Sequence, residues 1–162
     1  MVPLQYAIDL GWVAVLALLL GPGIVAAALC APFLVAERVR ALFRALPPRD
    51  GVAIPYVAAT VGASFPYVGG TLWALSAGAD AAGREGAAMA DALLGVLLGL
   101  SATYVAAVPL LAGVALPRVG VDWDPAGYGA GTWALLVALG VWYAAVFAFP
   151  LFLFAVVLAF PA

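Results

Sequence analysis

The chain has no histidine and no lysine, a single cysteine (Cys30), and charged side chains at only 9% of its 162 positions. Without histidine, and with one cysteine set among apolar neighbours, the usual nucleophile–base pairs and the nitrogen or thiolate metal sites have no residues to build them. A lone cysteine supports no internal disulfide framework and is expected to act as a small packing residue. Fourteen ionised groups cannot cover the water-facing surface of a globular domain, which normally carries about 25% charged residues. A net charge of −2 with one short basic stretch excludes a nucleic-acid surface. No cofactor motif is present.

What the chain has instead is apolar length. Hydrophobic residues make up 68% of it, and the charges leave four uncharged windows, 10–36, 51–79, 92–117 and 125–162. A helix needs about 20 apolar residues to cross a bilayer, so each window holds one crossing. The windows are apolar on all sides, whereas barrel strands alternate. The expected fold is therefore all-α: an integral membrane bundle of four transmembrane helices forming a single domain over residues 1–162. Its spans are placed at about 9–36, 53–78, 88–116 and 132–160. The opening residues, with no basic group and with Asp9, do not read as a cleavable signal peptide. The lysine-free, alanine- and glycine-rich composition resembles that of proteins from halophilic microbes.

Arginine sets the orientation. Arg38, Arg40, Arg44 and Arg49 lie in the first loop and Arg118 in the third, against Arg84 alone in the second. By the positive-inside rule the first and third loops are cytoplasmic and both termini lie outside. This makes the protein a multi-pass component of the cell membrane. Val35, Val39, Leu42, Phe43 and Leu46 share one helical face, so span 1 is expected to continue as a cytoplasmic amphipathic extension over about 37–46 until Pro47-Pro48 stops it. The four first-loop arginines are candidate contacts for anionic lipid head groups. Tyr6, Trp12, Trp73, Trp123, Tyr128 and Trp133 read as interfacial anchors, and the glycine-rich run after Asp124 as a flexible loop.

Within the spans, Pro22, Pro66, Pro109 and Pro150 each remove a backbone donor and free the carbonyl four residues back. The expected result is proline-kinked spans, with the strongest break at Gly21-Pro22-Gly23. In span 2, Tyr56, Thr60, Ser64, Tyr67 and Thr71 fall within an arc of about 80°. Hydroxyls facing lipid would lack partners, so this stripe is expected to point inward, either as interhelical glue that also satisfies the carbonyl freed by Pro66, or as a polar path for a small solute. Span 3 carries a small-residue face with Gly95, Gly99, Thr103 and Gly113, including a GxxxG segment that permits close helix approach. The stripe of span 2 is expected to pack on it. Gly140, Ala144 and Ala148 repeat the pattern in span 4, whose phenylalanines are expected to face lipid or another subunit. Asp9 and Asp91, each near the start of a span, are a candidate proton or cation site if spans 1 and 3 touch.

These features point to a non-enzymatic scaffold or accessory membrane subunit. Its partners are membrane lipids and either further copies of itself or another membrane protein. The alternative is a small transporter or channel subunit using the span 2 stripe. An enzyme acting through Asp9 and Asp91 is the third.

Overall fold

The computed structural model describes residues 4–160 except 49, 50, 80 and 82, with residues 4–10 as backbone only. Among these residues the chain is mostly helical and contains no strand. The order is α1 (Leu4–Cys30), a 3-10 turn (Ala31–Val35), α2 (Glu37–Ala45), α3 (Ala53–Ala79), α4 (Glu85–Leu110), a π turn (Leu111–Ala115), α5 (Leu116–Arg118) and α6 (Ala130–Ala159). Three stretches among the described residues are long and apolar enough to cross a membrane: Gly11–Val35, Glu85–Arg118 and Ala130–Ala159. The 27-residue α3 is as long as α1, but its row of hydroxyl side chains makes it less apolar and it is not one of the three.

The helix breaks fall elsewhere than expected. α1 runs on through Pro22. It ends at Cys30, and the chain passes through the 3-10 turn containing Pro32 before extended backbone at Ala36 (φ −71°, ψ 121°) starts α2 afresh. The amphipathic segment is thus a separate helix and not a continuation of span 1. Pro32, which cannot donate to the carbonyl of Ala28, falls where the helix geometry changes. α2 lays Val39, Leu42 and Phe43 against the bundle.

The helices pack in chain order. α1 lies on α3, α3 on α4 and α4 on α6, and a lighter contact between α6 and α1 closes the ring. Glycines set the closest approaches. A Cβ at Gly23 would sit 2.7 Å from both the Ser64 Oγ and the Val61 Cα, so the Gly-Pro-Gly segment is where α1 meets α3. A Cβ at Gly140 would sit 2.9 Å from the Tyr104 carbonyl oxygen, so α6 meets α4 there, and Ala144 one turn on is also buried. The outer faces carry large exposed apolar side chains, among them Leu16 and Val25 on α1, Leu98 and Leu110 on α4, and Phe149 and Phe152 on α6. An apolar surface of this extent is unusual on a water-soluble monomer and is consistent with a place among lipid tails.

Candidate functional site

The centre of the bundle is a column of aromatic rings. The Tyr67 ring stacks on Phe147 at 4.5 Å between centroids and on Tyr104 at 5.3 Å. Tyr143 joins Tyr104 and Phe147, both at 5.3 Å. Toward the α2 end, Tyr56 meets Phe43 edge-on at 5.2 Å. A phenol in an apolar core needs an acceptor for its hydroxyl, and each finds one on another helix. Tyr143 donates to the Thr60 carbonyl at 2.7 Å, Tyr104 to the Ala63 carbonyl and Tyr56 to the Ala27 carbonyl. Tyr67 pairs with Ser101 at 3.3 Å. No buried side-chain nitrogen or oxygen among the described residues is left without a partner.

The span 2 stripe supplies one wall of this core. Tyr56, Thr60, Ser64 and Tyr67 are buried, and Thr71 is half-buried. The short hydroxyls turn back on their own helix: Thr60 donates to the Tyr56 carbonyl at 2.8 Å, Ser64 to Val61 at 2.7 Å and Thr71 to Tyr67 at 2.7 Å. None of these reaches Gly62, whose carbonyl Pro66 deprives of its donor. The neighbouring Ala63 carbonyl is instead taken by Tyr104 from α4.

Beside the column lies an apolar chamber of about 370 Å³. α3 contributes Tyr56, Ala59 and Ala63, α4 Tyr104 and Val108, the π turn Leu111, and α6 Leu139 and Tyr143; Leu42 and Phe43 of α2 close one end. The tyrosines lining it show their rings, because their hydroxyls are committed to carbonyls. Cys30 also lines it.

At the α2 end of the bundle the loop after α5 is built around two buried residues, Trp123 and Asp124, each 3% exposed. This corrects the expectation that Trp123 is an interfacial anchor. The Trp123 indole donates to the Ala112 carbonyl at 2.7 Å, and Tyr128 packs edge-on against it. The Asp124 carboxylate accepts from the Thr132 hydroxyl at 2.5 Å and from the Ala126 backbone N–H at 3.1 Å. Arg38 of the first loop approaches it, with Nε 4.0 Å from the carboxylate. Arg40 and Arg44 turn away and both bind Glu37. Those hydrogen bonds, from Arg40 first and Arg44 second, hold the Glu37 carboxyl below the ordinary carboxylate range. Arg49 lies outside the described residues.

Other expected pairings are not made. Gly95, Gly99 and Thr103 are exposed, and a Cβ at Gly95 or Gly99 would meet nothing within 4 Å. The small face of α4 therefore points outward; the buried residues Ala90, Leu93 and Leu97 lie on its other side. Only Gly113 of that set is packed, against the Trp133 ring. Asp91 is exposed on α4, and the side chain of Asp9 is not described; α1 packs chiefly on α3. Phe147, expected to look outward, is buried in the column.

Residue patterning alone missed Tyr104, Tyr143 and the Asp124–Thr132 pair. The available signal for the tyrosines was their position near mid-span, where a phenol has no water and must find a carbonyl.

A sequence profile described as a domain of unknown function, DUF8162, matches residues 10–162. Neither the curated proteins nor the solved structures contain a significant match to the chain.

Proposed function

Because the chain belongs to the DUF8162 family, a family of unknown function, we propose its role from its own surfaces: it is a non-enzymatic scaffold or accessory subunit of the cell membrane. It crosses four times with both termini outside, and it associates laterally through the small face of α4. In this reading α3 is the fourth crossing, its hydroxyls shielded by the other helices.

One observation carries the proposal. The face holding Gly95, Gly99 and Thr103 is exposed and empty, while the other helices use comparable glycines for contacts inside the bundle, Gly23 against α3 and Gly140 against α4. In lipid, where the hydrophobic effect does not drive helices together, such a face gains dispersion contacts only by meeting another helix. The inward hydroxyls speak against a solute path: Thr60, Ser64 and Thr71 are spent on carbonyls of their own helix, Tyr56 and Tyr67 bond to α1 and α4, and the chamber beside them is apolar.

The test is Gly99→Leu set against Gly140→Leu. Gly99→Leu should lower the oligomeric fraction in vesicles, read by energy transfer between labelled copies, and leave thermal unfolding in detergent unchanged. Gly140→Leu should unfold the bundle at lower temperature. An oligomeric fraction insensitive to Gly99→Leu, or energy transfer no greater than random mixing, would remove the α4 face from the account.

A further inference from the structure

The chamber is not explained by lateral association through α4, whose small face lies elsewhere. Its walls are apolar, so water inside it would find few hydrogen-bond partners. It opens sideways between α3 and α4. Leu111 at the mouth is 61% exposed and Ala59 opposite is exposed, whereas Tyr56, Leu42 and Tyr143 at the back are buried. Along α4 and its extension the lining runs from Tyr104 to Leu116, about 18 Å at 1.5 Å per residue. One leaflet of hydrocarbon is about 15 Å deep. The chamber therefore extends from the loop end of the bundle to about mid-membrane, the depth occupied by a single lipid tail.

The polar end carries an exposed cation. Arg118 follows the lining residue Leu116 by two positions, is exposed, and makes no ion pair among the described residues. The other described arginines at this end are engaged, Arg40 and Arg44 by Glu37 and Arg38 beside Asp124. Arg118 is two residues beyond the end of the lining, and an exposed guanidinium at that end suits a phosphate-bearing amphiphile with net negative charge.

We propose that the chamber holds one acyl chain of an anionic phospholipid, with its phosphate at Arg118. This rests on the membrane reading given above. The occupant fills the gap between α3 and α4 from the side, so the protein carries a structural lipid in the leaflet on the α2 side.

The experiment reconstitutes the full chain in phosphatidylcholine vesicles containing a trace of chain-spin-labelled phosphatidylglycerol or chain-spin-labelled phosphatidylcholine. Electron spin resonance then resolves motionally restricted label at the protein. Phosphatidylglycerol should be preferred about five-fold, the effect of one arginine at an anionic head group. Arg118→Gln should abolish most of that preference. Ala59→Trp, which fills the mouth from an exposed position, should remove one restricted lipid per protein with helical content unchanged. Equal selectivity for the two lipids, or a restricted population the same in Ala59→Trp as in the parent, overturns the chamber assignment alone. Complete absence of restricted lipid overturns the membrane reading with it.

Discussion

The Trp123 indole N–H donates to the Ala112 carbonyl at 2.7 Å, an acceptor whose backbone donor does not exist. In the π turn, the Leu116 N–H reaches back five residues to the Leu111 carbonyl. The next bond of that pattern would run from residue 117 to Ala112, and residue 117 is proline, which has no N–H. Trp123 supplies the missing donor from the following loop. Trp123→Phe keeps most of the ring packing and leaves the buried carbonyl unpaired, a loss of about 1–3 kcal/mol. Thermal or denaturant unfolding of the detergent-solubilised protein measures it; a change within a few tenths would mean that water reaches Ala112.

The tyrosine column makes a ranked prediction. Tyr143 bonds the Thr60 carbonyl at 2.7 Å, while Tyr67 and Ser101 are 3.3 Å apart. Interhelical bonds in membrane proteins contribute about 0.6 kcal/mol on average, and the shorter pair should lie above the longer. Tyr143→Phe should therefore cost more than Tyr67→Phe, whose ring keeps its stacking on Phe147. Equal or inverted costs in the same unfolding assay would show that ring packing outweighs the hydroxyls at these positions.

How far the chain could be read in advance depended on which physical signal was in play. Charge gaps placed the helices because an ionised group between lipid tails is costly. The helices expected to begin near 53 and 132 begin at Ala53 and Ala130. The hydroxyl periodicity of α3 put Tyr56, Thr60, Ser64 and Tyr67 on one face, and all four are buried. For α4 the same reasoning chose the wrong side. Periodicity groups Gly95 with Gly99 and Leu93 with Leu97, but in a helix greasy all round it does not say which group meets protein. Pro22 and Pro32 differ for a related reason: Pro22 lies inside a long helix whose other bonds survive, whereas Pro32 falls where the chain turns toward α2. Trp123 was illegible because its acceptor exists only once the π turn has formed.

Glu37 gives the α2 end a pH dependence. Its carboxylate binds Arg40 and Arg44 and titrates below the ordinary carboxylate range. A group whose folded pKa is depressed contributes stability that is present above its unfolded pKa and lost as pH falls through the folded value. The arginine cluster should therefore hold at neutral pH and loosen only in acid, below the pKa of a free glutamate. The Glu37 carboxylate is exposed, so the effect is local and salt-sensitive. Side-chain NMR of Glu37 should show a depressed midpoint that moves toward the free value in Arg44→Gln; an unmoved midpoint would assign the shift to Arg40 alone.

Asp124 joins two loops distant in sequence. Its carboxylate is buried and accepts from Thr132 in the first turn of α6 and from the Ala126 N–H. Arg38 stands 4.0 Å away with its side chain 40% exposed. Asp124→Ala would leave the Thr132 hydroxyl without its short acceptor and remove a negative charge from the positive end of α6. Truncating one partner of a buried ion pair costs about 3–5 kcal/mol, but the exposure of Arg38 brings the expectation down to about 1–3 kcal/mol. Asp124→Asn retains an oxygen acceptor for Thr132 and should cost less. Arg38→Gln removes only the partly solvated partner and should cost least. If Arg38→Gln proved as damaging as Asp124→Ala, the ion pair and not the hydrogen bonds to Thr132 and Ala126 would be what ties the two loops together.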